Sequence, residues 1–178
     1  MKVIDQMSSK PKLVVLDTMN FWMDIALDKL KAVIAKVDVL TINDSEARQL
    51  SGEYSLVKAA KKILAFGPKY LIIKKGENGA LLFHENNIFF APALPLEEVF
   101  DPTGAGDTFA GGFIGYIAKT GDTSFDNMKR AIIYGSAMAS FCVEKFGTER
   151  LKELDIEEIH DRVEEFVSLS QFDISIEE

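Results

Sequence analysis

The chain has 178 residues, 47% of them apolar, with a formal charge of −8 and a pI of about 4.9. An acidic surface repels a phosphate backbone, which makes nucleic acid a poor partner, and no apolar run reaches the roughly 20 residues that cross a bilayer. The apolar content suffices for one sizeable core, so a single globular domain over residues 1–178 is expected, soluble and cytoplasmic, with a flexible acidic tail at about 173–178.

In chain order, Met1-Lys-Val-Ile-Asp-Gln6 reads as the end of a helix leading into a strand. Leu13–Asp17 is a continuous apolar run that suits a central parallel strand covered on both faces. From Asp24 to Lys36 apolar residues recur near the helical period at Ile25, Leu27, Leu30, Val33 and Ile34, and 37–42 reads as a second strand. That is βαβ order, with a right-handed crossover between parallel strands. Asp44 or Ser45 is suited to cap a short helix from Glu46 to Leu50 that stops at Gly52, and a further helix is expected from Ser55 to Phe66. Tyr70–Lys74 reads as a third buried strand, followed by a hairpin over 79–84 and 87–90 that turns at Glu85-Asn86. Helices are then expected near 105–119, 124–145 and 156–168.

Alternating strands and helices predict an α/β fold with a three-layer, open, mainly parallel sheet of Rossmann-like type. In such sheets ligands sit beyond the carboxyl ends of the strands. The loops at Asp17, Asn43, 74–79 and 101–107 fall there, and they are the polar, glycine-rich segments.

The most informative segment is Phe100-Asp-Pro-Thr-Gly-Ala-Gly-Asp-Thr-Phe-Ala-Gly-Gly-Phe113. Pro102 and Thr103 stiffen the approach to a helix, while Gly104 and Gly106 allow a tight turn and close backbone approach. The unpaired amides of a first helical turn converge on one spot that suits an anion such as a transferred phosphoryl group. Asp107 beside that spot can accept the proton of an attacking hydroxyl. A dinucleotide fingerprint is excluded because Phe109 stands where a third glycine or alanine is needed, and no Gly-x-x-x-x-Gly-Lys-Ser/Thr loop occurs. A plain structural helix entry, with Asp107 as a simple first-turn acid, remains the alternative on these residues alone.

The string Asp101-Pro-Thr-Gly-Ala-Gly-Asp-Thr-Phe-Ala-Gly-Gly112 resembles the C-terminal signature of the ribokinase-like, or PfkB, carbohydrate kinases. The resemblance implies transfer of the ATP γ-phosphate to a hydroxyl of a sugar, nucleoside or similar small metabolite, with Asp107 as base and the Gly104, Ala105 and Gly106 amides as the anion hole. Asn43-Asp-Ser-Glu46 resembles the family's Asn-x-x-Glu element, which implies that Asn43 and Glu46 organise Mg2+, largely through water. Lys74-Lys-Gly-Glu-Asn-Gly79 resembles the turn beside the nucleotide, with Lys74, Gly76 and Gly79 near phosphate. Tyr134-Gly-Ser-Ala-Met-Ala139 resembles the helix that borders adenine, which brings in Gly135 and Ser136, although helix packing explains small residues equally well. Asp101 and Thr103 resemble positions that in some members bind K+, with Pro102 in place of the common threonine.

Asp17-Thr-Met-Asn20 departs from the family's usual string, because Phe21-Trp22 replaces its arginine region. His84 and His160 lack ligand-like neighbours, and Cys142 reads as a small buried thiol. Complete members are longer, so the resemblance implies a C-terminal portion of such a kinase, incomplete at the N-terminus and without most acceptor contacts. Uncovered apolar surface and an open sheet edge then predict a homo-oligomer or poor solubility. A nucleotide-binding module without turnover, or a subunit that pairs with a separate N-terminal chain, are the alternative functions.

Overall fold

The structure is a computed structural model that describes residues 2–171, and the tail expected at 173–178 lies outside the described residues. The chain forms two compact units, one of residues up to Gly76 with Ala80–Phe90, the other of Glu77–Gly79 with the residues from Ala91 onward.

In the first unit a short helix α1 (Lys2–Asp5) precedes strand β1 (Val15–Asp17). Helices α2 (Asn20–Ile25) and α3 (Leu27–Ile34) lead to β2 (Val39–Asn43), then α4 (Asp44–Ser51), α5 (Leu56–Leu64) and β3 (Tyr70–Lys74). A hairpin of β4 (Ala80–His84) and β5 (Asn87–Ala91) turns at Glu85, whose φ is 51°. The strands lie in the order β1-β2-β3-β4-β5. The first three are parallel, with Asp17 opposite Thr41 and Asn43 opposite Lys74, and β4 runs antiparallel to β3. Leu40, Ile42, Leu71, Ile73 and Phe83 pack on Leu30, Ile34, Ala47, Leu50, Ala60 and Ile63 from the helices. Each fully buried Leu, Ile or Phe side chain among them contributes about 1.5–3 kcal/mol.

Two expectations are corrected here. Leu13–Asp17 is not central: β1 is the edge strand and its three residues are only half-buried. The single helix over 24–36 is broken at Ala26, because only Leu30 and Ile34 of its stripe reach the core whereas Ile25 and Leu27 are exposed.

The second unit holds α6 (Ala105–Thr120), α7 (Phe125–Cys142), α8 (Glu149–Glu153) and α9 (Ile156–Ser170). Helices α6 and α7 pack closely where both carry small residues: a Cβ at Gly135 would lie 2.8 Å from the Phe109 carbonyl oxygen, and one at Gly112 2.8 Å from Met138. Tyr116 and Tyr134 stack across the same seam at 4.3 Å. Helix α7 ends at Cys142 rather than at Lys145, because the Val143 carbonyl turns to accept the Phe100 amide at 2.9 Å.

Candidate functional site

In the first unit, three adjacent parallel strands end side by side at Asp17, Asn43 and Lys74. The backbone turns from β2 into α4 through a capping box: the Asn43 side chain accepts from the Glu46 amide at 2.8 Å, and Glu46 Oε2 accepts from the Asn43 amide at 3.0 Å. The cap is therefore Asn43, not Asp44 or Ser45, and Ser45 Oγ donates to Asn43 Oδ1 at 2.7 Å. Glu46 is only 5% exposed. Burial raises its pKa, opposed by the bond from the Asn43 amide; the charge of Asp17 raises it further and that of Lys74 lowers it.

Lys74 Nζ donates to Asp17 Oδ2 at 2.6 Å, and Asp17 Oδ1 accepts the Thr18 amide at 2.9 Å. The sequence gives no sign of this pair, since its partners stand 57 residues apart; only the parallel register brings them to one edge. Among the described residues no group of three His, Cys, Asp or Glu side chains stands ready to enclose a metal. The oxygens of Asn43, Glu46 and Asp17 are hard donors already shared with amides, an arrangement that suits outer-sphere contact with a Mg2+ that keeps its water. Gly76 (φ 56°) opens a 3-10 turn and has nothing within 4 Å of a Cβ position.

In the second unit, Gly104 is the N-cap of α6 with φ 85°, a left-handed conformation that favours glycine. Asp101 Oδ1 accepts the Thr103 amide at 2.9 Å, and that bond lowers the Asp101 pKa. The Ala105 amide donates to the Pro102 carbonyl at 3.2 Å. Among the described residues the Gly104, Gly106 and Asp107 amides have no backbone or side-chain acceptor, whereas the Ala105 amide is taken up by the turn. The Asp107 side chain is exposed in the first turn. Gly79 (φ 79°) is held by packing, since its Cβ would lie 2.1 Å from the Ala91 carbonyl oxygen.

The other residues singled out in the sequence lie as follows. Gly135 is buried against Phe109, with Ser136 half-buried beside it. His84 lies 2.9 Å from the Lys69 carbonyl and stacks on Tyr70. Cys142 is buried.

The sequence is 39% identical over 89 residues to cytidine kinase of Thermococcus kodakarensis, a match covering 49% of this chain and 32% of the relative. It is 31% identical over 122 residues to ribokinase of Staphylococcus aureus, covering 66% of this chain and 38% of the relative. An E. coli protein described as a ribokinase II, solved with ATP and Mg2+, superposes with a TM-score of 0.71 at 27% identity, over 86% of this chain and 49% of that one. The chain thus spans about half the length of that structure and less of the two relatives. Its α/β architecture is that of the ribokinase-like fold. With the pfkB family carbohydrate kinase profile matching residues 1–154, most of the chain, this protein belongs to that family.

Proposed function

We propose that this chain carries the nucleotide-binding and base-bearing portion of an ATP-dependent kinase that phosphorylates a hydroxyl of a sugar or nucleoside. The observation that carries the reading is the entry to α6, where free amides at Gly104, Gly106 and Asp107 flank an exposed carboxylate. The amides hold the oxygens of the transferred phosphoryl group. Asp107 accepts the proton of the acceptor hydroxyl as its oxygen bonds to phosphorus and the bond to the ADP leaving group breaks. In a loose transition state orientation counts for more than basicity, so an ordinary carboxylate suffices.

Magnesium ion, when bound, neutralises charge on the phosphates. Within the first unit Asn43 and Glu46 would hold its water shell, and Lys74, kept in place by Asp17, has ammonium protons left for an anion. The relatives named above support ATP and Mg2+ as partners and a small hydroxylic metabolite as acceptor. K+ would be held by Asp101 and Thr103, whose turn is closed by the bond from the Thr103 amide to Asp101. The test is Asp107→Asn: turnover falls roughly 100-fold or more while nucleotide affinity is kept. Near-native turnover in that variant would remove Asp107 from the chemistry.

A second reading, which the same free amides at Gly104, Gly106 and Asp107 also fit, is a nucleotide-binding module without turnover. It predicts saturable nucleotide binding with no phosphorylated product from any sugar or nucleoside supplied.

A further inference from the structure

Five consecutive residues at the end of α7 divide between two tasks. Cys142 and Val143 grip the segment that leads into the α6 entry. The Val143 carbonyl accepts the Phe100 amide at 2.9 Å and the Asp101 amide at 3.5 Å, and the Cys142 thiol donates to the Thr103 carbonyl at 3.8 Å. Carbonyls in the last turn of a helix have no partner further along it, and here Val143 next to that turn serves the loop.

Ser140, Phe141 and Glu144 are gripped from the other side by two arginines. Arg162 of α9 donates to Ser140 Oγ at 2.8 Å and to Glu144 Oε1 at 2.7 Å, and its guanidinium lies 3.9 Å from the centre of the Phe141 ring. Arg150 of α8 donates to Glu144 Oε2 at 3.0 Å and to Glu158, and stands 5.0 Å over the same ring. Both arginine side chains are largely buried, 14% and 18% exposed. Each oxygen of Glu144 thus has its own arginine, and the Arg162 fork reaches Ser140 and Glu144 at once while lying against the Phe141 ring, a combination that an ammonium does not reproduce.

Resting on the reading of the α6 entry as a phosphoryl site, we infer that Arg162, acting through Glu144 and the Phe141 ring, is a positioning residue for the amides of Gly104, Gly106 and Asp107. It holds the end of α7 in register, α7 holds Phe100, Asp101 and Thr103, and these fix the start of α6. Small displacements of a positioning element have large consequences, since about 1 Å is enough to cost on the order of 100-fold in rate. The arginines themselves touch no reacting atom in this scheme.

The experiment compares two magnesium nucleotides by calorimetry on the whole chain: ADP, and a non-hydrolysable ATP analogue that adds the γ-phosphate. The chain is tested unchanged, as Arg162→Met, and as Arg162→Lys in case the first variant does not fold. Lys145→Met, which breaks the exposed Lys145–Glu153 pair nearby, is the control. The inference predicts that Arg162→Met weakens the analogue by about 10-fold while ADP affinity moves less than about 2-fold, that Arg162→Lys shows the same preference more weakly, and that the control moves neither. Equal weakening of both nucleotides, or a fall in melting temperature with neither affinity changed, would overturn the inference and leave the phosphoryl site intact. Failure of the unchanged chain to bind either nucleotide would overturn the phosphoryl site and the inference together.

Discussion

Glu46 has a structural task, the capping box, at the same place where a role toward Mg2+ is proposed for it. Its carboxylate closes the capping box on Asn43 from a position only 5% exposed, and burial raises its pKa above the ordinary 4.5. The sign of the consequence follows from linkage. As pH rises through 4.5 the unfolded chain loses this proton first, so the folded state, which still binds it, loses stability until its own raised pKa is passed. Denaturant unfolding of the metal-free chain at pH 4.5 and at pH 7.5 checks this. Glu46→Gln removes that part of the pH dependence and keeps the fold; an unchanged slope would show that the buried carboxyl is not its source. At this scale the sequence made Asn43, Glu46 and Asp107 legible because each belongs to a short local motif. The Lys74–Asp17 pair and the two arginines on Glu144 were not legible, since they join residues that only the register of β1–β3 or the packing of α7–α9 brings together.

At the scale of elements, the glycines separate into those whose Cβ position is already filled and those where it is open. Gly79 has φ 79° and a Cβ position 2.1 Å from a backbone oxygen that cannot move aside. Gly76 has φ 56° and open space. Gly79→Ala should therefore cost on the order of 3 kcal/mol by denaturant unfolding, and Gly76→Ala about 1 kcal/mol from backbone strain alone. Equal costs would mean that the close approach at Gly79 is not rigid. The order of the major strands and helices was readable from hydrophobic period, and β3 matches its expected bounds of Tyr70–Lys74. Element ends depart from the expected ones where tertiary contacts decide them. The Val143 carbonyl stops α7 by serving a loop 43 residues away in sequence, and α2 separates from α3 because Ile25 and Leu27 miss the core. Short elements such as α8, five residues long, carry too few positions for a period to be seen.

At the scale of the whole molecule, apolar surface remains uncovered. Met19, Phe21, Trp22 and Ile25 on and beside α2 are 47–62% exposed, and β1 is an open edge. Such patches mark surfaces that meet other protein. Sedimentation should accordingly show self-association, and a dye that fluoresces on apolar surface should bind strongly; Trp22→Glu should weaken both. A monodisperse, dye-silent monomer would contradict this. Among the described residues no helix is long and apolar enough to cross a membrane.

On the proposed reading the entry to α6 is a phosphoryl site formed by the chain itself. The most direct measurement is calorimetric titration of the chain with a magnesium-bound, non-hydrolysable ATP analogue, alongside Gly104→Val. A Cβ at Gly104 meets nothing nearer than the Cys142 sulfur at 3.8 Å, so the substitution acts through its φ of 85° and redirects the amides that follow. Saturable binding that is lost in Gly104→Val is the predicted result; binding that survives the substitution undiminished would contradict the claim.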